Sequence, residues 1–149
     1  MPINPSHALP HVSNFMILED DQTRINRFLA ALQSVAPASR VICWHSAKKM
    51  IAEADLYLPY TRLISLDHDL YPPAGQTDDP GDGLEAARFL ALRRPRCPII
   101  IHSSNGDRAR MMAGELELAE CSCKLIAPLG DDWIEAHWAR VVQSLLKPE

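Results

Sequence analysis

The sequence predicts a doubly wound α/β fold, with five parallel strands covered on both faces by five helices. Three observations carry this. Short apolar runs alternate with segments at helical spacing along the whole chain after Asn14, the signature of repeated βα units. The strand-like runs are mainly apolar rather than alternating, as in strands buried on both sides. They also end abruptly in polar residues, at Glu19-Asp20-Asp21, Asp67-His68-Asp69 and His102-Ser103. Ligands in such folds bind beyond the carboxyl ends of the strands.

Phe15-Met16-Ile17-Leu18 reads as the first strand. The helix after it starts near Asp21 or Thr23 and carries Ile25, Phe28, Leu29 and Leu32 at helical spacing. Pro37 stops it. Arg40 to His45 is the second strand. Ser46 can cap the second helix, whose apolar face is Ala47, Met50, Ile51 and Ala54, and Pro59 closes it. The third strand, Arg62 to Leu66, opens into Asp67-His68-Asp69-Leu70. Tyr71 to Gly83 is rich in Pro, Gly and Asp without a period and reads as a loop. Loops of this length are often lids or binding segments.

The third helix runs from near Leu84 to Arg94, with Leu84, Ala87, Leu90 and Ala91 inward. Pro98 to His102 is the fourth strand, and the polar turn Ser103 to Asp107 can cap a fourth helix, Arg108 to Glu120. Cys123 to Ala127 is the fifth strand. Gly130-Asp131-Asp132 opens the last helix, where Ile134, Trp138, Val141, Val142 and Leu145 face the core.

Residues 15–149 therefore form one domain, preceded by a flexible arm over residues 1–14 in which His7 and His11 carry little weight. The arm has three prolines and no apolar core after a charged start, so it does not read as a signal peptide. No apolar run approaches a membrane span, and a cytoplasmic protein is expected. Fifteen Lys and Arg against nineteen Asp and Glu give a net charge of −4, which argues against unspecific binding to a polyanion. Cys43, Cys97, Cys121 and Cys123 are read as reduced, packed thiols. Cys121-Ser122-Cys123 has no second pair at zinc spacing.

Right-handed crossovers leave few topologies, and the flavodoxin-like order 2-1-3-4-5 is the commonest fit for five strands. It sets strands one and three side by side. Glu19, Asp20 and Asp21 then meet Asp67 and Asp69, and His102 and Ser103 arrive from strand four. Converging carboxylates stay ionised most easily around a hard cation. Mg²⁺, or Mn²⁺, suits a few carboxylates with waters and a phosphate completing the octahedron. Glu19, Asp20, Asp67 and Asp69 are the expected metal residues; Asp21 reads as a helix cap.

His68 and His102 are candidates for a general acid or a clamp on phosphate oxygens. Alternation along a strand would turn His68 away from its two aspartate neighbours. Ser103 and Asn105 can hydrogen-bond a phosphate at a helix start. Arg108 can add charge, while Arg110 reads as part of a solvated face.

These residues resemble the receiver domain of two-component response regulators over nearly the whole chain after Asn14. Phe15 to Asp21 resembles the acidic start of a receiver, Asp67 falls at the phosphoacceptor position, and Ser103 falls at the Ser/Thr position ending strand four. Asp82-Gly83-Leu84-Glu85 resembles the Asp-Gly turn into helix three. One departure stands out: a receiver ends strand five in Lys-Pro, and here Ala127 precedes Pro128. The 71–82 loop is also longer than a receiver needs.

A closer similarity is to the cyclic-phosphate-processing receiver-like domains. It rests on Leu66-Asp67-His68-Asp69-Leu70, the Gly-led helix at Gly83, Ile101-His102-Ser103-Ser104-Asn105, and a Met at 111 or 112. Glu19 stands where that group often has Asp. The resemblance implies a receiver-like three-layer sandwich and metal-assisted processing of a cyclic phosphate, on a small molecule or at an RNA end. Asp20, Asp67 and Asp69 would hold the metal, and His68, His102, Ser103 and Asn105 would handle phosphate or protons. Two other readings follow from the wider resemblance: a receiver accepting phosphoryl on Asp67 from a sensor kinase, or a phosphate-binding signalling module without turnover. Receivers often pair through their last two helices, so a homodimer through that face is a further expectation.

Overall fold

The computed structural model describes residues 13–147. The expected arm lies outside the described residues except for its last two, and Asn14 already belongs to the first strand. The strands are β1 (Asn14–Leu18), β2 (Arg40–Trp44), β3 (Thr61–Leu66), β4 (Ile99–Ile101) and β5 (Cys123–Leu125). They form one parallel sheet in the order β2-β1-β3-β4-β5, as the sequence predicts.

Alternation along the strands divides the core in two. Met16, Leu18, Ile64, Leu66, Ile99 and Ile101 pack under the helices α2 (Ala47–Glu53), α3 (Gly83–Arg93) and α4 (Gly106–Leu118). Phe15, Ile17, Leu63 and Ile100 pack on the other face, under α1 (Gln22–Val35) and the last helix. That last helix is a π-helical stretch, Ile134–Trp138, running into α5 (Ala139–Leu145). Ile134, Trp138 and Val142 are buried there, with Val141 and Leu145 partly so.

The helix starts follow side-chain caps. Asp21, Ser46, Asp82 and Asn105 each accept a backbone N–H three residues on, satisfying donors that a helix start leaves open. The caps move α3 and α4 one to two residues earlier than the apolar spacing suggests. The second helix ends at Glu53, before Pro59, and two 3₁₀ turns, Ala54–Leu56 and Leu58–Tyr60, lead into β3. The 71–82 loop is tied at both ends: Tyr71 N–H donates to Asp20 Oδ2 at 2.8 Å, and the Pro80 carbonyl accepts from Ser46 Oγ and Lys48 N, both at 3.2 Å. The four cysteines are free thiols.

Candidate functional site

The register of the sheet builds the site. Leu18 pairs with Leu66, and Leu66 with Ile101. The residues one step further are Glu19, Asp67 and His102. Backbone bonds hold this next row together, from Asp67 N to Leu18 O at 3.0 Å and from His102 N to Leu66 O at 2.9 Å. By alternation the row faces the α1 side, as Ile17, Ser65 and Ile100 do two residues earlier.

Carboxylate oxygens of Glu19, Asp20 and Asp67 lie within 4.8 Å of one another. They line an open cleft of about 400 Å³ with Asp21, Arg24, Asp69, Tyr71 and Ser104. Glu19 is fully buried. Its Oε2 accepts from Asp20 N at 3.0 Å and Asp21 N at 3.2 Å. Its Oε1 stands 3.3 Å from His102 Nε2 and 3.6 Å from Arg24 Nη1. Burial alone would raise its pKa, but His102, the Asp21 N–H and Arg24 hold it down at about 2.

Asp67 goes the other way. Burial, and then the neighbouring Glu19 charge, push its carboxyl up to about 8, against the hydrogen bond from His68 N. Burial also raises Asp20, opposed by the Tyr71 N–H and reinforced by Glu19. The metal-free cleft thus keeps one carboxylate firmly charged and a proton on its partner near neutral pH. This set of three close carboxylates, one held protonated by burial and by the neighbouring Glu19 charge, fits a hard divalent cation.

His102 lies behind the cleft. Expected within reach of a ligand, it is 0% exposed, with its ring 4.9 Å from Phe28 and 6.0 Å from Trp133. Its Nδ1 is 2.6 Å from Ser65 Oγ, which also accepts from Trp138 Nε1 at 3.0 Å. Indole N–H only donates, so a line of buried polar atoms runs Trp138–Ser65–His102–Glu19. Burial lowers the His102 pKa, with Glu19 opposing. A neutral ring facing a carboxylate carries its proton on Nε2, and the Ser65 hydroxyl then donates to Nδ1.

Asp69 lines the cleft but stands outside the carboxylate trio. Its Oδ1 contacts His68 Nδ1 at 2.6 Å and accepts from Asn105 Nδ2 at 3.4 Å. His68 does not line the cleft, and its Nε2 is 3.7 Å from Asp82 Oδ2 at the start of α3. Here α3 comes very close to the chain. A Cβ built on Gly83 would stand 2.1 Å from the Asp67 carbonyl oxygen and 2.6 Å from His68 Cα. Only glycine fits beside the site segment.

Ser103 is buried and its Oγ accepts from Asn105 N at 3.1 Å. Asn105 caps α4 through Arg108 N. Arg110 pairs with Asp107 on the surface. Of the expected residues, Glu19, Asp20, Asp67 and Asp69 therefore reach the cleft; the two histidines, Ser103 and Asn105 stand around it. Sequence reasoning missed Arg24, Ser104 and the Tyr71 N–H. Arg24 had a signal: a cation in the first turn of a helix opposes the helix dipole and asks for a reason.

The fold and the acidic cleft at the ends of β1 and β3 are those of a receiver-like domain. Solved structures with this architecture include the phosphorylated cyanobacterial phytochrome response regulator RcpA, at 17% identity and TM-score 0.61, covering 89% of this chain and 90% of that one. The Mn²⁺-bound form of response regulator Rcp1 matches at 16% identity and TM-score 0.62, covering 91% and 96%. The receiver domain of RcsB from Salmonella enterica serovar Typhimurium, with the phosphomimetic BeF₃⁻, matches at 13% identity and TM-score 0.62, covering 93% and 94%. These likenesses establish the fold. A search of curated proteins finds no match. Residues 15–118 match the model of the cyclic-phosphate processing receiver domain, and the chain belongs to that family.

No helix among the described residues is long and apolar enough to cross a membrane.

Proposed function

We propose that this chain is a metal-dependent phosphoesterase that opens a cyclic phosphate in the cleft at the ends of β1 and β3. The observation that carries the reading is the convergence of Glu19, Asp20 and Asp67 within 4.8 Å, with the Asp67 carboxyl pushed up to about 8. Those three residues would hold Mg²⁺ or Mn²⁺. When bound, the cation supplies Lewis-acid polarisation of phosphoryl oxygens.

The chain's own groups do the rest. The Tyr71 N–H orients Asp20. His102 fixes Glu19 from behind. Asp69, exposed to the cleft and backed by His68 at 2.6 Å, is the group placed to take or give a proton at the ligand. His102 has no surface there, so the proton-transfer role expected of it passes to the Asp69–His68 pair.

The test is direct. A panel of 2′,3′-cyclic nucleotides is incubated with the protein and Mg²⁺ or Mn²⁺, and ring opening is followed by chromatography. Turnover that EDTA and Asp67→Asn abolish supports the reading. No turnover across the panel leaves a binding module. The receiver reading draws on the placement of Asp67 at the open end of β3. Under it, acetyl phosphate or beryllofluoride would modify Asp67 stably, which intact-mass analysis detects for the phosphorylated form.

A further inference from the structure

The cleft is acidic on nearly every side, and a phosphoryl ligand brings more negative charge. Beyond Glu19, Asp20 and Asp67, the lining carries two more carboxylates, Asp21 and Asp69. Among the described residues, Arg24 is the one cationic side chain lining the cleft. β5 brings no cation to it, because Ala127 stands beyond that strand's end.

Arg24 is held in place without being used up. Its backbone N–H donates to the α1 cap Asp21 at 2.9 Å, which fixes where the side chain leaves the helix. Its guanidinium lies over the Trp133 ring at 5.6 Å. It stands 3.6 Å from Glu19 Oε1, an ion-pair contact, and donates no side-chain hydrogen bond to another described residue. The side chain is 29% exposed, opening on the cleft. A guanidinium has five N–H donors in a planar fork, and among the described residues none of them is taken up by a hydrogen bond, at the position where the ligand's charge must be met. The first turn of a helix is a poor place for a cation. The ion pair and the indole offset that cost, and neither satisfies the fork.

We propose that Arg24 is the anion clamp of this cleft: its guanidinium holds the non-bridging oxygens of a phosphate ester, with Trp133 behind it. This rests on the phosphoesterase reading for the nature of the ligand. The geometry suits a phosphodiester, which presents two non-bridging oxygens to a bidentate fork. Trp133, 5.6 Å from the guanidinium, supplies cation–π support from behind.

The experiment compares the full-length chain with Arg24→Ala and Arg24→Lys by calorimetric titration. The probes are Mg²⁺ alone, inorganic phosphate alone, and phosphate in the presence of Mg²⁺. Arg24→Ala is expected to weaken phosphate by about 10- to 100-fold, the size of a lost hydrogen bond between charged groups. The same variant leaves Mg²⁺ affinity unchanged or higher, because a positive charge beside Glu19 has gone. Arg24→Lys restores part of the phosphate affinity, keeping the charge and losing the fork.

Unchanged phosphate affinity in Arg24→Ala overturns the proposal. So does a parallel loss of Mg²⁺ and phosphate, which would make Arg24 only a prop for Glu19. Melting curves check that each variant folds. Should Arg24→Ala not fold, Arg24→Gln takes its place, and equal phosphate binding by Arg24→Gln and wild type overturns the idea as well. Absence of Mg²⁺ uptake by the wild type counts against the metal reading alone, since the phosphate-only titrations still decide on Arg24.

Discussion

Replacing Asp67 by Asn tests the electrostatics of the cleft without reference to any substrate. Asp67 is 5% exposed, and its carboxyl rises from 3.8 to about 8 through burial and then the Glu19 charge. A folded-state pKa above the unfolded value means that the native state holds the proton more tightly. Below 3.8 the group costs nothing, and as pH rises toward about 8 the native state loses stability relative to the unfolded chain. Each pH unit between the two values is worth about 1.4 kcal/mol, which sets a ceiling of about 5–6 kcal/mol above pH 8. Relaxation and water entry around a buried carboxylate offset part of the burial penalty, so the working expectation is about half that ceiling.

Asn keeps the oxygen that accepts from His68 N and removes the ionisation. The metal-free variant is therefore expected to match wild type within about 1 kcal/mol at pH 5, and to exceed it by about 2–4 kcal/mol at pH 8.5. Urea unfolding in EDTA, at half-unit steps from pH 5 to 9, reads the difference. Wild-type and variant curves that run parallel across that range would refute the reasoning. The same titrations with Mg²⁺ should show wild type stabilised more at pH 8 than at pH 6, because bound metal takes the place of the Asp67 proton. The Asp67→Asn variant should gain far less.

Two other changes probe the supports. His102→Ala leaves Ser65 and Glu19 facing a void beside Phe28; a loss of about 2–4 kcal/mol is expected by urea unfolding, and Mg²⁺ affinity should fall in calorimetry even where the variant stays folded. Gly83→Ala drives a methyl into the Asp67 carbonyl, 2.1 Å from the ideal Cβ. The helix preference of Ala over Gly, about 1 kcal/mol, should be overrun, with a net loss of at least about 2 kcal/mol in urea unfolding and weaker Mg²⁺ binding as α3 shifts the site segment.

The fold was legible because the central strands announce themselves twice, by an apolar run and by the polar residues that end it. Phe15 to Leu18 followed by Glu19, and Leu63 to Leu66 followed by Asp67, fix the strands and also the edge where the site lies. What the pattern could not give was depth. His102 and Asp67 both look like polar residues just past a strand, yet one ends with no exposed surface and the other at the cleft floor. The difference comes from Phe28, Trp133 and Trp138, which close over the β4 side and come from α1 and the last helix. No local spacing around His102 reports on them. Helix starts were shifted for a plainer reason: Asp82 and Asn105 cap their helices, while apolar spacing marks only the turns that pack.

The row Glu19, Asp67, His102 shows why an imidazole at a strand end need not be the catalytic one. Parallel pairing of Leu18 with Leu66 and of Leu66 with Ile101 places all three on one face of the sheet. That face is covered by α1 and the last helix, so a side chain further from the β1–β3 junction goes under the cover. His102 is on the β4 side, one strand removed, and is buried with Ser65 and Phe28 as its other neighbours. Its ring, with Nε2 3.3 Å from Oε1, helps keep Glu19 charged where burial would otherwise neutralise it. Under the proposed phosphoesterase reading, proton transfer to a ligand needs a group beyond the ladder, where the chain has left the sheet. Asp69 with His68 behind it, 2.6 Å away, meets that requirement, and Asp69→Asn should accordingly depress turnover while leaving the Glu19–Asp20–Asp67 trio able to bind Mg²⁺.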